Sequence, residues 1–489
     1  MTERWIEIPA AYHVHTNASG GRYTLEEISS LAHDAGLRAV IVTDKADTRW
    51  TYGIAPFRGL ARVTVERKSI KLTEYAEYRA RFEKVGRERP DVLLIPGAEV
   101  SPFYRWEGRL ADGKLRMLEW DRDMLVVGLK KDSDWKHLPI IGNEGAGKFG
   151  FSGSFHLFIC AALCAGAFVV FAKKRKKSFK VGLWRKQKFS YDVHPYRPLS
   201  VVLFLLAVTL ASLWYPFKRF PFDPYGHKYG LAPYQRMIDY VNDRGGISAW
   251  GHPHADMNRK FEGRNFLPGP LAGIPGLPSH LEIFADGAPY FDAVEGTEGF
   301  TAAPCPTESC SGEGCPCREW DGMLSEFTAG KRKSPPWNVG EIDFYGILPG
   351  KIDDFITVFF AKSNTEDAIL DSFKHGRMYS VRNDRGYTLR LKEFNVRSGD
   401  GIAESGETIK TSSGGTTVRA VVGSIPEGMR VKAVLYRNGE IVGRYAGRSP
   451  LSIRYEDANP KKAGMSYYRL EARAAWRVLL ISNPIFVIK

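Results

Sequence analysis

Ala11-Tyr12-His13-Val14-His15-Thr16 is the stretch on which the reading of the fold turns. It reads as a short strand from Ala11 to His15, and strand alternation puts His13 and His15 on one face near its C-terminal end. A lone histidine is more often structural; two at this spacing suggest a metal pair. Moving outward, Thr24-Leu25-Glu26-Glu27 is a capping box that opens a helix, and Gly36 closes it. Arg38 to Thr43 is a buried strand that ends in Thr43-Asp44-Lys45, and Lys71 to Glu88 is a charged surface helix. Val92 to Ile95 is a strand that leads into Pro96-Gly97-Ala98-Glu99, and Met124 to Leu129 is another that starts after Asp123.

The alternation resumes further along. Pro233 to Arg244 reads as a helix with Pro in its first turn and Gly245 as its stop. Ile247 to Trp250 is a strand running into Gly251-His252-Pro253-His254. Asp354 to Ala361 is a strand, and the helix Thr365 to Lys374 ends at Gly376. Repeated strand–helix units imply a parallel sheet, open or closed into a barrel. Ligand-type side chains recur where strands meet loops, which is where barrel enzymes assemble their sites. From about Tyr387 the texture changes to short alternating strands, with Arg437-Asn438-Gly439-Glu440 as a hairpin turn. These strands predict a small all-β sandwich over 387–489.

Two apolar runs interrupt the α/β part. Phe149 to Ala172 and Pro198 to Phe217 contain no Asp, Glu, Lys or Arg, and about 20 helical residues cross a hydrocarbon core of about 30 Å. Between them, residues 173–197 hold ten Lys or Arg against the single acid Asp192. Of the formal net charge of +14, most is concentrated in this loop. The charge therefore reads as a topology signal, and no specific nucleic-acid partner is expected. Residues 149–217 are expected to form a transmembrane helical hairpin in contact with the lipid bilayer; a pair of buried core helices is the bland alternative.

The positive-inside rule places the basic loop in the cytoplasm and the rest outside, as for a bacterial plasma-membrane protein. The start Met1-Thr-Glu-Arg-Trp carries no signal peptide, which opposes that sidedness; the charge bias is given precedence. Cys305, Cys310, Cys315 and Cys317 crowd one loop and fit disulfides in an oxidising compartment, with a zinc knuckle as the rival. Cys160 and Cys164 lie in the first apolar run as small packing residues.

His13-Val14-His15-Thr16, Val42-Thr43-Asp44, Gly97-Ala98-Glu99, Gly251-His252-Pro253 and Asp343 follow one another in an order that resembles the PHP (polymerase and histidinol phosphatase) family. The nearest subgroup is the carbaryl-hydrolase-like one, whose members follow the PHP core with a β-domain. The resemblance implies an α/β fold, a distorted (β/α)7 barrel in two parts (1–148 and 218–386) around the hairpin, followed by the β-sandwich. It implies divalent metal ions, Zn, Mn or Fe, one or two in number. His13, His15, Glu99 and Asp343 would hold the first. Glu99 would bridge to a second with His252, where Asp123 stands in place of a usual His.

A third position departs from the family pattern: Lys45 replaces a His after Thr43-Asp44, Tyr345 replaces the His of Asp343-Phe344-Tyr345, and Ser19-Gly20-Gly21 lacks an acid. Lys45 could place a fixed cation there. Glu99, Lys45 and Arg377 are the candidate catalytic residues, with Arg377 as an anion contact whose bland reading is a surface salt bridge. Glu295 and Glu298 could face the pocket, though unpaired acids there are more often solvated, and His254 reads as a loop histidine. The implied activity is hydrolysis of a small anionic or ester substrate, above all a phosphate ester, by metal-activated water. The alternative is a catalytically lapsed PHP-fold module that binds or senses at the membrane.

Overall fold

The computed structural model describes residues 5–120, 122–182, 184, 187–226, 228–252, 276–277, 290–298, 316–348, 350–399, 401–411, 415–457, 464–474 and 477–489. The apolar runs picked out in the sequence become the strands that place the site. Ile6–Val14 pairs in parallel with Ala39–Val42, which pairs in parallel with Leu93–Val100. Met124–Val127 comes next and runs antiparallel to Leu93–Val100 and to its other neighbour, Ile247–Trp250. Ala293–Glu298 and Trp337–Glu341 follow, both parallel.

The chain then returns to where it began. Phe344 bridges Val14 in parallel, His15 N–H donates to the Phe344 carbonyl (2.9 Å) and Phe344 N–H donates to the His13 carbonyl (3.0 Å). Ala39–Val42 and Met124–Val127 are buried at every residue, as expected of strands covered on both faces. Each buried Val, Ile, Leu or Met among them contributes about 1.5–3 kcal/mol.

Two strands depart from the all-parallel expectation, Met124–Val127 and Phe355–Ala361, and for the first the reason is local. Between Val100 and Met124 the chain forms a small antiparallel ribbon, Arg105–Glu107 with Arg116–Leu118, in place of a crossover α-helix. A parallel return needs such a crossover. The reversal has a consequence for the site. Val100 is paired with Met124, so Asp123, at the start of its strand, lies at the same end as the C-terminal ends of the parallel strands.

The helices obey their sequence signals. Leu25–Asp34 carries the capping box of Thr24 and Glu27, and Glu366–Lys374 is capped by Thr365. Ala232–Asn242 has its Pro in the first turn. Phe151–Ala172 and Arg197–Trp214 pack side by side, with His156 stacked on Trp214 (4.1 Å between ring centroids). The pair leaves and re-enters through one ribbon, in which Lys148 and Phe149 pair with Arg219 and Lys218. Their mean hydropathies are 2.3 and 1.8, and they are long and apolar enough to cross a membrane. Phe151, Phe158, Phe168 and Leu205 project outward, so neither helix is a core helix. An exposed antiparallel hairpin, Arg175–Val181 with Gln187–Val193, joins them.

The C-terminal strands form two sheets. Thr388–Ser398 lies between Gly401–Glu404 and Thr416–Ile425, with Leu451–Asp457 beyond. In the other, Arg430–Arg437 lies between Glu440–Arg448 and Met465–Ala474. The Asn438-Gly439 turn has positive φ at both positions (51° and 81°), as that dipeptide predicts.

The second sheet does not stop at the boundary expected near 387. Val478–Ser482 pairs with Met378–Arg382, which pairs with Phe355–Ala361, which lies antiparallel on the N-terminal half of Ile6–Val14. Met378–Arg382 and Phe355–Ala361 are buried throughout, so each needs a strand on both edges. A buried charge cluster pins the same junction. Arg469 donates to both oxygens of Asp321 (2.8 and 2.5 Å) and to Glu471 (2.7 Å), beneath the ring of Tyr436.

Cys305, Cys310, Cys315 and His254 lie outside the described residues, as do the side chains of Cys317 and Glu298. Cys160 and Cys164 are free thiols in Phe151–Ala172.

Candidate metal centre

At the C-terminal end of the strands, buried ligand-type side chains face one another. His13 presents Nε2 to Glu99 Oε1 (3.4 Å) and to Asp343 Oδ1 (3.4 Å). His15 presents Nε2 to Glu99 Oε2 (3.4 Å) and to Asp343 Oδ1 (3.2 Å). His252 Nε2 lies 3.4 Å from Glu99 Oε1, and its ring stacks on His13. Among the described residues, His13 Nε2, His15 Nε2, Glu99 Oε2 and Asp343 Oδ1 are buried with no well-formed hydrogen bond. Buried polar atoms are almost always satisfied. Four such atoms pointing at one another make a site suited to a cation. His13, His15 and Asp343 form one set close enough to hold a metal ion, and His13, Glu99 and His252 a second.

The backbone is bent to make this arrangement. His13 (φ 66°), His252 (φ 24°) and Asp343 (φ 44°) all take positive φ, which is costly for residues other than glycine. At His13 the pairing with Ala39–Val42 shifts register between Tyr12 and Val14. The two histidines therefore converge through a bulge and the strand's end, where simple alternation was expected to bring them together. Bulges commonly re-aim a side chain beside a site.

The surroundings fix each ring. His13 Nδ1 faces Glu295 Oε1 at 3.0 Å and Glu341 Oε2 at 3.6 Å, and both carboxylates are fully buried. The other Glu295 oxygen accepts the backbone N–H of His252 (2.5 Å). His15 Nδ1 meets Ser19 Oγ (3.3 Å), which donates to Asp44. Asp44 also accepts from Thr16 N–H, Thr16 Oγ1 and Tyr78 OH at 2.7–2.8 Å. Tyr345 stacks on His15 at 4.1 Å. Gly21 sits where a Cβ would strike the His15 carbonyl, so this turn has room only for glycine.

The charges respond to one another. Burial opposes a proton on His252, but the hydrogen bond to Glu99 and the charges of Asp343 and Glu99 push it up to about 10. Burial likewise opposes a proton on His13, and Glu295, Asp343 and Glu99 together raise it well above the usual imidazole range. Burial works against ionised Glu99 and Asp343. Lys45 and His13 nevertheless hold Glu99 well below the ordinary carboxylate range, and the imidazoles hold Asp343 at about 2. The carboxylates thus draw positive charge into the cluster.

The remaining expected residues fall in different places. Lys45 Nζ lies 3.3 Å from Glu99 Oε2 and 2.9 Å from Asp123 Oδ2, and Ser101 donates to the other Asp123 oxygen. Asp123, expected beside His252 as a metal ligand, is thus engaged by an ammonium. Arg377, expected as an anion contact, is held by Asp371 and lies over the Trp5 ring (4.8 Å to its centroid). That position is lined by Phe360, Leu391 and Phe394, away from the histidines.

The sequence left Glu295 between facing the pocket and being solvated, and assigned Glu341 no role. Both are buried behind His13. The available signal was their place at the C-terminal ends of strands; their partners are too distant in sequence to be read from it.

No protein-family model matches the chain, and no curated protein matches it. Solved structures of low similarity do. A two-domain protein from Bacteroides vulgatus ATCC 8482, containing a predicted PHP-like metal-dependent phosphoesterase, aligns with 96% of this chain and 91% of its own at 11% identity, TM-score 0.35. A protein from Bifidobacterium adolescentis ATCC 15703, proposed to be a metal-dependent phosphoesterase, aligns with 70% of this chain and 88% of its own at 14% identity, TM-score 0.26. An amidohydrolase from Chromobacterium violaceum, with bound sulfate and no metal, aligns over the same shares at 13% identity, TM-score 0.26. At these levels the reading of the site rests on its own geometry.

Proposed function

We propose that this chain is a membrane-anchored, metal-dependent phosphoesterase of the PHP kind, built on a distorted seven-stranded (β/α) barrel. The observation that carries the proposal is the convergence of His13 Nε2, His15 Nε2, Glu99 and Asp343 Oδ1, buried and without well-formed hydrogen bonds among the described residues. The return of Phe344 to Val14 supports the barrel. The four converging groups would hold a divalent ion such as Zn, Mn or Fe. When bound, that ion supplies Lewis acidity and lowers the pKa of water.

The chain's own residues do the rest. Glu295 and Ser19 set the orientation of the two rings, and Lys45 offers an ammonium to an anionic substrate. The two outward-facing apolar helices support a transmembrane hairpin, and the exposed basic ribbon between them supports a cytoplasmic loop with the catalytic part outside.

The test is hydrolysis of a panel of phosphomonoesters, phosphodiesters and carbamate or carboxylic esters by purified protein. The expected result is turnover of a phosphate ester that chelator abolishes, added metal restores and His13→Ala removes. Metal uptake without turnover of any ester would instead favour the lapsed, ligand-sensing reading.

A further inference from the structure

Glu99 divides the site into two sides. Its Oε1 faces His13 and His252, and its Oε2 faces His15 and Lys45. On the Lys45 side the ammonium lies between two carboxylates, 3.3 Å from Glu99 and 2.9 Å from Asp123. The arrangement is built into the backbone. Lys45 forms a parallel bridge with Glu99, Glu99 N–H donates to the Asp44 carbonyl (3.1 Å) and Ala46 N–H donates to the Glu99 carbonyl (2.9 Å). Ser101 holds the second Asp123 oxygen, so the carboxylate is turned toward the lysine. A cation placed between Glu99 and Asp123 would have to displace the ammonium or sit against it, and like charges in a buried, low-dielectric setting repel strongly.

We propose that the site takes one divalent ion and that Lys45 is its built-in second cation, held by Glu99 and Asp123. The inference rests on the metal-centre reading above and narrows it. Asp123 becomes a positioning residue for the lysine, and a bound anion would meet one exchangeable metal ion and one fixed ammonium donor.

The experiment is the zinc content per chain of full-length protein in detergent, after equilibration with zinc alone and removal of the excess. It uses an otherwise wild-type background in which Cys305, Cys310, Cys315 and Cys317 are each replaced by serine, so that a cysteine site in that loop adds nothing to the count. Wild type and Lys45→Arg should hold one zinc. Lys45→Ala should hold two, because the Glu99–Asp123 position becomes vacant; adding Asp123→Asn to it should return the count to one. Lys45→Met, which keeps the length of the stem, guards against a folding defect in the alanine variant and should also hold two. Two zinc ions in wild type would overturn the role of Lys45 and leave the metal centre standing. One zinc in wild type and in both Lys45→Ala and Lys45→Met would also overturn it. No zinc in wild type would overturn the metal-centre reading itself.

Discussion

His13 turns its Nδ1 to Glu295 at 3.0 Å, and this contact aims its Nε2 at Glu99 and Asp343. The same Glu295 holds the backbone of His252, so one buried carboxylate sets two candidate ligands. Partners of this kind commonly contribute 10–100-fold in metal affinity. Glu295→Gln should therefore weaken zinc binding by about one to two orders of magnitude while far-ultraviolet circular dichroism stays unchanged. Competition with a chromophoric chelator measures it; unchanged affinity would remove Glu295 from the site.

The Arg469–Asp321 pair makes a stability prediction. Both groups lie where the C-terminal sheet meets the helix Pro316–Thr328, and Arg469 is fully buried. Removing one partner of a buried pair costs about 3–5 kcal/mol, and because Glu471 stays on Arg469 the loss here falls toward the lower end. Asp321→Ala should lower stability by about that amount in denaturant titration. A loss below about 1 kcal/mol, the range of an exposed pair, would contradict the structure.

Asp47 gives a pH dependence. Its carboxyl accepts the N–H of Leu72 (3.3 Å), and burial pushes its pKa up to about 6. The unfolded value is about 3.9. The folded state therefore binds the proton more tightly, and stability is lost as pH rises between those two values. Asp47→Asn should stabilise the protein by roughly 1–2 kcal/mol at neutral pH, with the gain vanishing below about pH 4. Thermal melts of the two proteins across that range check it; a difference independent of pH would contradict it.

The apolar helices predict the behaviour of the whole chain. Full-length protein should sediment with membranes and require detergent. The ribbon of Lys148 and Phe149 with Lys218 and Arg219 closes the base of the excursion. Replacing residues 151–216 with a short Gly/Ser linker should therefore give a detergent-free protein that keeps its metal affinity. Recovery of full-length protein in the soluble fraction would contradict the membrane reading. Thiol labelling of intact cells checks sidedness: reaction of the loop cysteines only after lysis, without reductant, would reverse it.

Much of this was legible because the signals were local. The capping box at Thr24, the Asn438-Gly439 turn and the run Ile247–Trp250 each depend on neighbours in sequence and appear as read. His13, His15, Glu99, His252 and Asp343 lie close together, whereas Asp123 is engaged by Lys45 and Arg377 by Asp371. What escaped the sequence was long-range. Glu295 meets a histidine 282 residues away, and Lys45 meets a carboxylate 78 residues away. The reversal of Met124–Val127 and the sheet that runs on through Met378–Arg382 depend on pairing partners that periodicity cannot name.

The most direct test of the central claim is a crystal of zinc-equilibrated protein measured above and below the zinc absorption edge. The account predicts an anomalous peak among His13 Nε2, His15 Nε2, Glu99 and Asp343. Anomalous density absent from that position, in crystals grown with saturating zinc, would contradict it.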